Sequence, residues 1–350
     1  NKRSDRIDRI VIALLPLGAV LLAFVVGGVI LWLQGVNPFE AYKAMLYGAF
    51  GTKNGLADTL VKATPLLLVG LGIAIAFRGG MINIGAEGQL IVGALLTTYI
   101  SLQLGDKLPA FLVIIIGLLA GAFMGGVWAG IAGVLKAYLS VNEILSTIML
   151  NAIAVQIGYF LLRGPMIDPA EVEAGTNIPH SARLEKVLDM PRFTDVAQQL
   201  GLTGSADDLG ISGFLAEIYG VMVEPSRLHT GFLFAILMAI LVYIFLWRTT
   251  IGYRIRAVGL NPHASKYAGI DVKRNLILSI TLSGMMAGLA GAVEILGLQH
   301  RMFEPTAYSA GYGFTVIVAA LLAKLHPLCI IPSSILFGGL LVGGDKMQRA

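Results

Sequence analysis

Apolar residues in this chain gather in long runs instead of alternating with polar ones. Ile10 to Leu33 is nearly uninterrupted, and later runs cover 57–77, 85–104, 109–135, 141–162, 230–247, 275–298, 311–324 and 327–344. Runs near 20 residues suit helices that cross about 30 Å of hydrocarbon at about 1.5 Å per residue. Strands of a membrane barrel need only about ten residues, with alternation. The pattern therefore predicts an all-α, polytopic integral membrane helix bundle with nine spans in one transmembrane domain, residues 1–350. The last two runs are short and glycine-rich, which predicts tilted, broken or partly re-entrant segments. Lys2, Arg3, Arg6 and Arg9 precede the first run. A signal peptide starts similarly, but its apolar region is about 7–15 residues and ends at a small-residue cleavage site. The first run reads as a retained span.

Residues 163–230 break the pattern. They hold Pro165, Pro169, Pro179, Pro191 and Pro225, polar turns such as Thr203-Gly204-Ser205, and ten acids against five bases. Short amphipathic helices are expected near 183–200 and 211–222. Loops of this length usually carry a function or are disordered. A partner-docking or lid role and a tolerated insertion both stay open.

Composition agrees with the pattern. Of 350 residues, 56% are hydrophobic and 13% charged, against about 25% charged in soluble domains. Mean hydropathy is +0.80. These values exclude a disordered chain, a disulfide scaffold and an ordinary cytosolic enzyme. The 43 glycines let helix backbones approach closely in lipid. Gly121/Gly125, Gly126/Gly130, Gly284/Gly288 and Gly339/Gly343 all have the four-residue spacing for such contacts. The single cysteine, Cys329, excludes an internal disulfide and a cysteine-based metal cage. Its apolar surroundings predict a small buried filler.

Charge placement gives orientation. With the N-terminus cytoplasmic, the inside segments (the N-terminal tail, 78–84, 136–142, 248–274 and 324–326) hold 13 bases in about 55 positions. The outside segments (34–62, 105–108, 163–230 and 299–310) hold 10 in about 113. Basic residues favour the cytoplasmic side. The net charge of +4 is thus a matter of topology, and nucleic-acid binding has no support, since bases and aromatics do not interleave. The sequence has no P-loop, no H-E-x-x-H and no nucleophile elbow, and its five histidines are scattered. A conduit fits better than a catalyst, with energy from an ion gradient or another subunit.

Three stretches carry chemistry. In the first, Arg78 ends a helix, Gly79 and Gly80 permit a break, and Asn83, Glu87 and Gln89 enter the next apolar helix. A glutamate near the bilayer centre costs at least about 2.5 kcal/mol, so it must face the bundle interior or a wet cavity. In the second, Asn142 precedes Glu143, Thr147 and Asn151, which recur on one helical face, with Gln156 beyond. Such a stripe either joins helices by hydrogen bonds or lines a path. The third is the basic segment 248–274. Asn261 suits an N-cap, Pro262 the first helical position and Gly269 the stop, which predicts a two-turn helix over 262–268 whose small residues, Ala264, Ser265 and Ala268, fit a partner's groove.

The spacing of Gly259, Asn261, Ala264, Gly269 and Ile270, with Ser283-Gly284 and Gly288-Leu289-Ala290-Gly291 in the following helix, resembles the cytoplasmic coupling segment of ABC importer permeases of the ribose and branched-chain amino acid type. Asn83 to Gln89, Val141-Asn142-Glu143, Met149-Leu150-Asn151 and Gly311 to Thr315 look like the nucleoside-uptake branch. The resemblance covers nearly all the chain outside 163–230. It implies a permease subunit that binds no cofactor itself. A second identical or related permease subunit would share the path. Separate ATP-binding subunits would use ATP and Mg, and an extracytoplasmic substrate-binding protein or lipoprotein would deliver the solute. It also implies a multi-pass protein in the inner membrane of a bacterial or archaeal cell. Under this reading 248–274 is the coupling loop, with Arg254, Arg256, Gly259, Asn261, Pro262, Ala264, Ala268, Gly269 and Ile270 facing the ATPase. Asn83, Glu87, Gln89, Asn142, Glu143, Thr147, Asn151, Gln156, Glu294 and Gln299 are candidates for the path or its polar walls. Phe77, Tyr159 or Tyr312 could stack on a base. A simple-sugar or branched-chain amino acid importer, or an ion-coupled transporter using Glu87, Glu143 or Glu294, stays open. Family members usually have a tenth span after Gly343-Gly344. Here a polar tail, Asp345 to Arg349, follows and the first residue is Asn1, so a truncated sequence is expected.

Overall fold

The computed structural model describes residues 18, 20–176, 178–201, 214–305 and 312–348. Among the described residues there is no strand. The elements are helices and turns, with one isolated antiparallel bridge between Arg192 and His229. In chain order they are α1 (Val20–Leu33), α2 (Pro38–Phe50), α3 (Lys53–Arg78), α4 (Ala86–Leu104), α5 (Ala110–Leu139), α6 (Glu143–Leu162), α7 (Pro169–Glu173), α8 (Phe193–Gln199), α9 (Phe214–Val223), α10 (Gly231–Arg248), α11 (Thr250–Leu260), α12 (Pro262–Tyr267), α13 (Val272–Glu294, continuing as a π-helix through Gln299), α14 (Tyr312–Leu322) and α15 (Pro327–Met347). Side chains start many of them. Thr52 accepts from the Gly55 N–H, Asn142 from the Ile144 N–H and Asp271 from the Arg274 N–H, at 3.1, 2.9 and 3.0 Å. Each satisfies one of the backbone donors left open at a helix start.

The nine apolar runs take three forms. Six described helices are long and apolar enough to cross a membrane: α3, α5, α6, α10, α13 with its π-helical end, and α15. α1 and α14 are shorter apolar helices, and residues 1–17 and 19, which include the start of the first run, lie outside the described residues. α4 is interrupted by polar residues, and its interior-facing Gln89, Thr97, Thr98 and Ser101 are buried in the bundle. α3 is central, with 83% of its apolar window buried, whereas α6 shows an outer face, with 22% buried.

Glycines set the central contact. α13 packs on α5, α4 and α3. A Cβ on Gly121 would lie 2.8 Å from the Gly288 carbonyl oxygen, and one on Gly125 would lie 2.7 Å from Gly288 Cα and collide with the Gly284 carbonyl. A Cβ on Gly93 of α4 would come within 2.6 Å of the same Gly288 Cα. The two small-residue motifs of α5 and α13 therefore face each other, and α4 closes on the same point. Gly339 and Gly343 of α15 do likewise against Phe50 and Met45 of α2.

The 163–230 segment is less helical than its pattern predicts. The backbone N–H groups of Ser181, Leu184 and Met190 donate to the carbonyls of Met302, His300 and Leu296, each at 2.8 Å. The stretch is thus laid along the end of α13, and helix is confined to a 3₁₀ turn at Lys186–Leu188 and to α8. The second expected helix is α9, and residues 202–213 lie outside the described set. An ion pair between Lys53 and Glu224 ties α9 to the start of α3. His229 is buried beside Gly297 and accepts from the Gly231 N–H through Nδ1 at 3.1 Å. Burial pushes this imidazole down to about 4, so it is neutral, as the acceptor role requires.

Two smaller expectations are corrected. Cys329 is exposed, because α15 turns Pro327, Ile330, Ser333 and Ser334 inward. Asp345 to Met347 belong to α15 and form no separate tail.

The glycine contact gives a direct expectation. Gly288→Leu forces α5 and α13 apart and costs about 1–3 kcal/mol or more, the usual range for overpacking. Gly344 meets nothing within 4 Å, so Gly344→Leu leaves stability unchanged. Thermal midpoints of the two variants in detergent check this, and equal midpoints would refute the contact.

Candidate translocation pathway and coupling segment

The break between α3 and α4 collects most of the first polar stretch. Gly80 adopts φ +78°, a left-handed conformation that glycine accepts without cost. Asn83 and Gln89 are fully buried and exchange amide hydrogen bonds. Asn83 Nδ2 donates to Gln89 Oε1 at 2.9 Å, and Gln89 Nε2 donates to Asn83 Oδ1 at 3.0 Å. Asn83 Nδ2 also donates to Ser283 Oγ of α13 at 2.9 Å. The Gly85 N–H donates to Asn83 Oδ1 at 2.9 Å. Glu87 is half-buried in the first turn of α4 and accepts from the Gly313 N–H of α14.

The α6 stripe divides. Asn151 Nδ2 donates to the Ile84 carbonyl at 3.0 Å, and its Oδ1 accepts from the Gly88 N–H at 2.8 Å. Thr147 is buried beside Gly85 and returns its hydroxyl to the Glu143 carbonyl at 2.7 Å. Asn151 thus holds the broken backbone, and Thr147 packs against it at Gly85. Glu143 pairs with Lys136 of α5 at 2.7 Å, and Asn142 is an exposed cap. Gln156 stands on the outer face of α6 among Ile153, Ile157 and Phe160.

Glu294 and Gln299 lie at the opposite end of the bundle from α11 and α12. Glu294 is buried, and Gln299 Nε2 donates to it at 3.4 Å. Gln299 lines a cavity of about 1000 Å³ with Asn54, Asp58 and Lys62 of α3, Asp345 of α15, and Arg192 and Arg227 from the long loop. Lys62 donates to the Tyr312 hydroxyl at 3.0 Å. Sequence reasoning places Lys62 in an outside segment, yet it is the tenth residue of α3. The signal was present: Asn54, Asp58 and Lys62 recur every four residues, as Glu143, Thr147 and Asn151 do.

The segment 248–274 folds as α11 and α12. The Asn261 side chain accepts from the Ala264 N–H at 3.0 Å, Pro262 opens α12, and Gly269 takes φ +77° after it. Leu260 and Tyr267 are 88% and 95% exposed. Arg254, Asn261, Pro262, Ala264, Ala268 and Gly269 also face outward, and Ile270 is half-buried. On the inner side, Gly259 touches the backbone of Arg78 and Gly80. Arg256 does not face outward alone. Its Nε donates to the Leu246 carbonyl at 2.9 Å, and its guanidinium lies 5.3 Å from the Trp247 ring. Arg78 covers the same ring at 4.7 Å and donates to the Leu325 carbonyl at 2.7 Å. α11 therefore rests directly on the break at the end of α3.

Asn151→Leu leaves the Gly88 N–H and Ile84 carbonyl without partners, at about 1–3 kcal/mol for each buried group left unpaired. Gln156→Leu removes no described hydrogen bond of this chain. Unfolding of the two variants should separate them by at least that amount, and an equal response would show that Asn151 does not hold the break.

The chain is 33% identical to the guanosine ABC transporter permease protein of Bacillus subtilis, over 95% of this chain and 86% of that one. It is 33% identical to the nucleoside ABC transporter permease protein of Lactococcus lactis, over 96% and 85%. The glucose ABC transporter permease protein of Haloferax volcanii also matches at 33%, over 96% and 81%. Both bacteria hold a second matching permease of the same description at 27% identity. No solved structure matches the chain. The family described as branched-chain amino acid transport system / permease component matches residues 55–349. With nearly the whole bundle, from α3 through α15, inside that match, the chain belongs to this permease family.

Proposed function

We propose that this protein is the membrane permease subunit of an ATP-driven ABC importer and takes up nucleosides by alternating access. The observation that carries the coupling half of this reading is the seat of α11 and α12. An exposed, capped helix pair rests by backbone contact on the α3–α4 break. A partner that moves α11 thereby moves the break and the start of α4, which together bear Asn83, Glu87 and Gln89. The nucleoside half is supported by the guanosine and nucleoside permease relatives.

The remaining features follow. The end bearing α11 and α12 faces the cytoplasm, as does the N-terminus. The nine apolar runs make up the visible spans, and residues 163–230 face the other side. Separate subunits hydrolyse ATP with Mg. The paired permeases of the two bacteria favour a related, non-identical second permease as partner. An extracytoplasmic binding protein or lipoprotein delivers solute, and the setting is the inner membrane of a bacterium or archaeon. The glucose permease relative and the family's description favour a simple sugar or a branched-chain amino acid as the second reading.

Two measurements decide. Uptake by the complete importer is competed by unlabelled inosine, ribose and leucine in turn. Inosine should compete strongly. Competition by leucine alone, or by a sugar alone, transfers the assignment to the second reading. Ala264→Trp, at an exposed position of α12, should abolish co-purification of the ATP-binding subunits with membrane insertion intact. Retention of those subunits at wild-type levels would refute the docking role of α12.

A further inference from the structure

The cavity at the end of the bundle opposite α11 and α12 contains charges that the coupling mechanism does not use. Its volume of about 1000 Å³ is at the upper end of the about 300–1,000 Å³ found for ligand pockets. Polar groups make up most of its wall. Asn54, Asp58 and Lys62 stand on one face of α3 at four-residue spacing, and all three line it. Lysine within a span is rare, and ionisable residues there mark substrate paths. Lys62 is held in place by the Tyr312 hydroxyl from α14, at 3.0 Å. The lysine is thereby held by α14 while it lines the cavity. Buried Glu294, with Gln299 donating to it, lies at the same end of the bundle. Arg192 and Arg227 come from the long loop and add donors across the opening.

We propose that this cavity is a solute-recognition chamber, and that Lys62 and Asp58 select a neutral solute rich in hydroxyl and carbonyl groups over an aliphatic amino acid. This assignment rests on the nucleoside-importer reading. A nucleoside presents ribose hydroxyls to the lysine and carboxylate, and ring carbonyls to the arginines and Gln299. Leucine could pair its two charges there, but its side chain would leave polar wall groups unpaired. Sites built to hydrogen-bond a substrate reject analogues that cannot reciprocate far more strongly than apolar pockets do.

The test is equilibrium binding of tritiated inosine to the permease with its ATP-binding subunits, in lipid nanodiscs without binding protein. Saturable binding is expected, displaced by guanosine and unaffected by leucine. Lys62→Met and Asp58→Asn should each weaken it about tenfold or more, the scale of one lost hydrogen bond to a charged group. Lys62→Arg should retain most of it. If Lys62→Met fails to fold, Asp58→Asn and Asn54→Leu decide, since neither touches the Lys62–Tyr312 pair. Wild-type affinity in folded variants would leave Lys62 a structural partner of Tyr312 and overturn the proposal. If the wild-type complex binds no inosine, uptake by the complete importer separates the cases. Uptake with no binding overturns this chamber alone. Absence of both overturns the nucleoside reading as well.

Discussion

The contact of α4, α5 and α13 at Gly288 fixes everything else in the bundle. Lipid is as apolar as leucine, so helices gain little by burying apolar faces against one another there. Close packing must hold them together. Three backbones meet at this point because Gly93, Gly121 and Gly125 present no side chains to it. The position of α13 is thereby set to within an atom's width. The middle of α13 places Ser283 against Asn83, and its end brings Glu294 to Gln299, which lines the cavity. Both polar regions are suspended from one helix.

The break between α3 and α4 is the most expensive feature of the fold. Backbone that leaves helical geometry inside a membrane protein must find partners within the protein, because no water is available. Asn83, Gln89 and Asn151 provide them through six hydrogen bonds, counting the two amide–amide bonds and the bond to Ser283. That network makes the break rigid in place, so displacement of one side is carried to the other. Gly259 touches the break directly, and Arg78 and Arg256 both lie against the Trp247 ring. The end bearing α11 and α12 is thus joined to the interior by direct contact.

The long-range partners explain what the sequence makes legible. Spans are visible because lipid demands apolar runs of a fixed length. The break is visible because Gly79-Gly80 interrupts such a run, and α12 because Asn261, Pro262 and Gly269 encode a start and a stop. The pairing of Asn83 with Gln89 is invisible, since it needs the chain to turn back on itself. The path of 181–190 along α13 is hidden for the same reason, and helical patterning there misleads. The α3 stripe is a different case. Its four-residue spacing is as clear as that of α6, but it lies at the edge of an apolar run, where charges are expected anyway. A charge near a span boundary can be assigned only when its depth is known. For Lys62 that depth comes from the Thr52 cap, which starts α3 several residues before the apolar run.

α3 links the two polar regions in one element. Its 26 residues reach about 39 Å at about 1.5 Å each, from the Lys53–Glu224 pair to Arg78 at the break. Pro65 lies three residues beyond Lys62 and has no N–H to give the Val61 carbonyl. The Thr64 hydroxyl already occupies the neighbouring Leu60 carbonyl at 2.9 Å. The helical ladder is therefore weakest beside the lysine. Below that point α3 is buried from Leu66 to Ala76, packed against α10, α13, α14 and α15. Above it, α3 carries the Asn54, Asp58 and Lys62 face and the tie to α9. Any bend at that point would reshape the cavity and leave the glycine contact in place, because that contact is made by α4, α5 and α13 and not by α3.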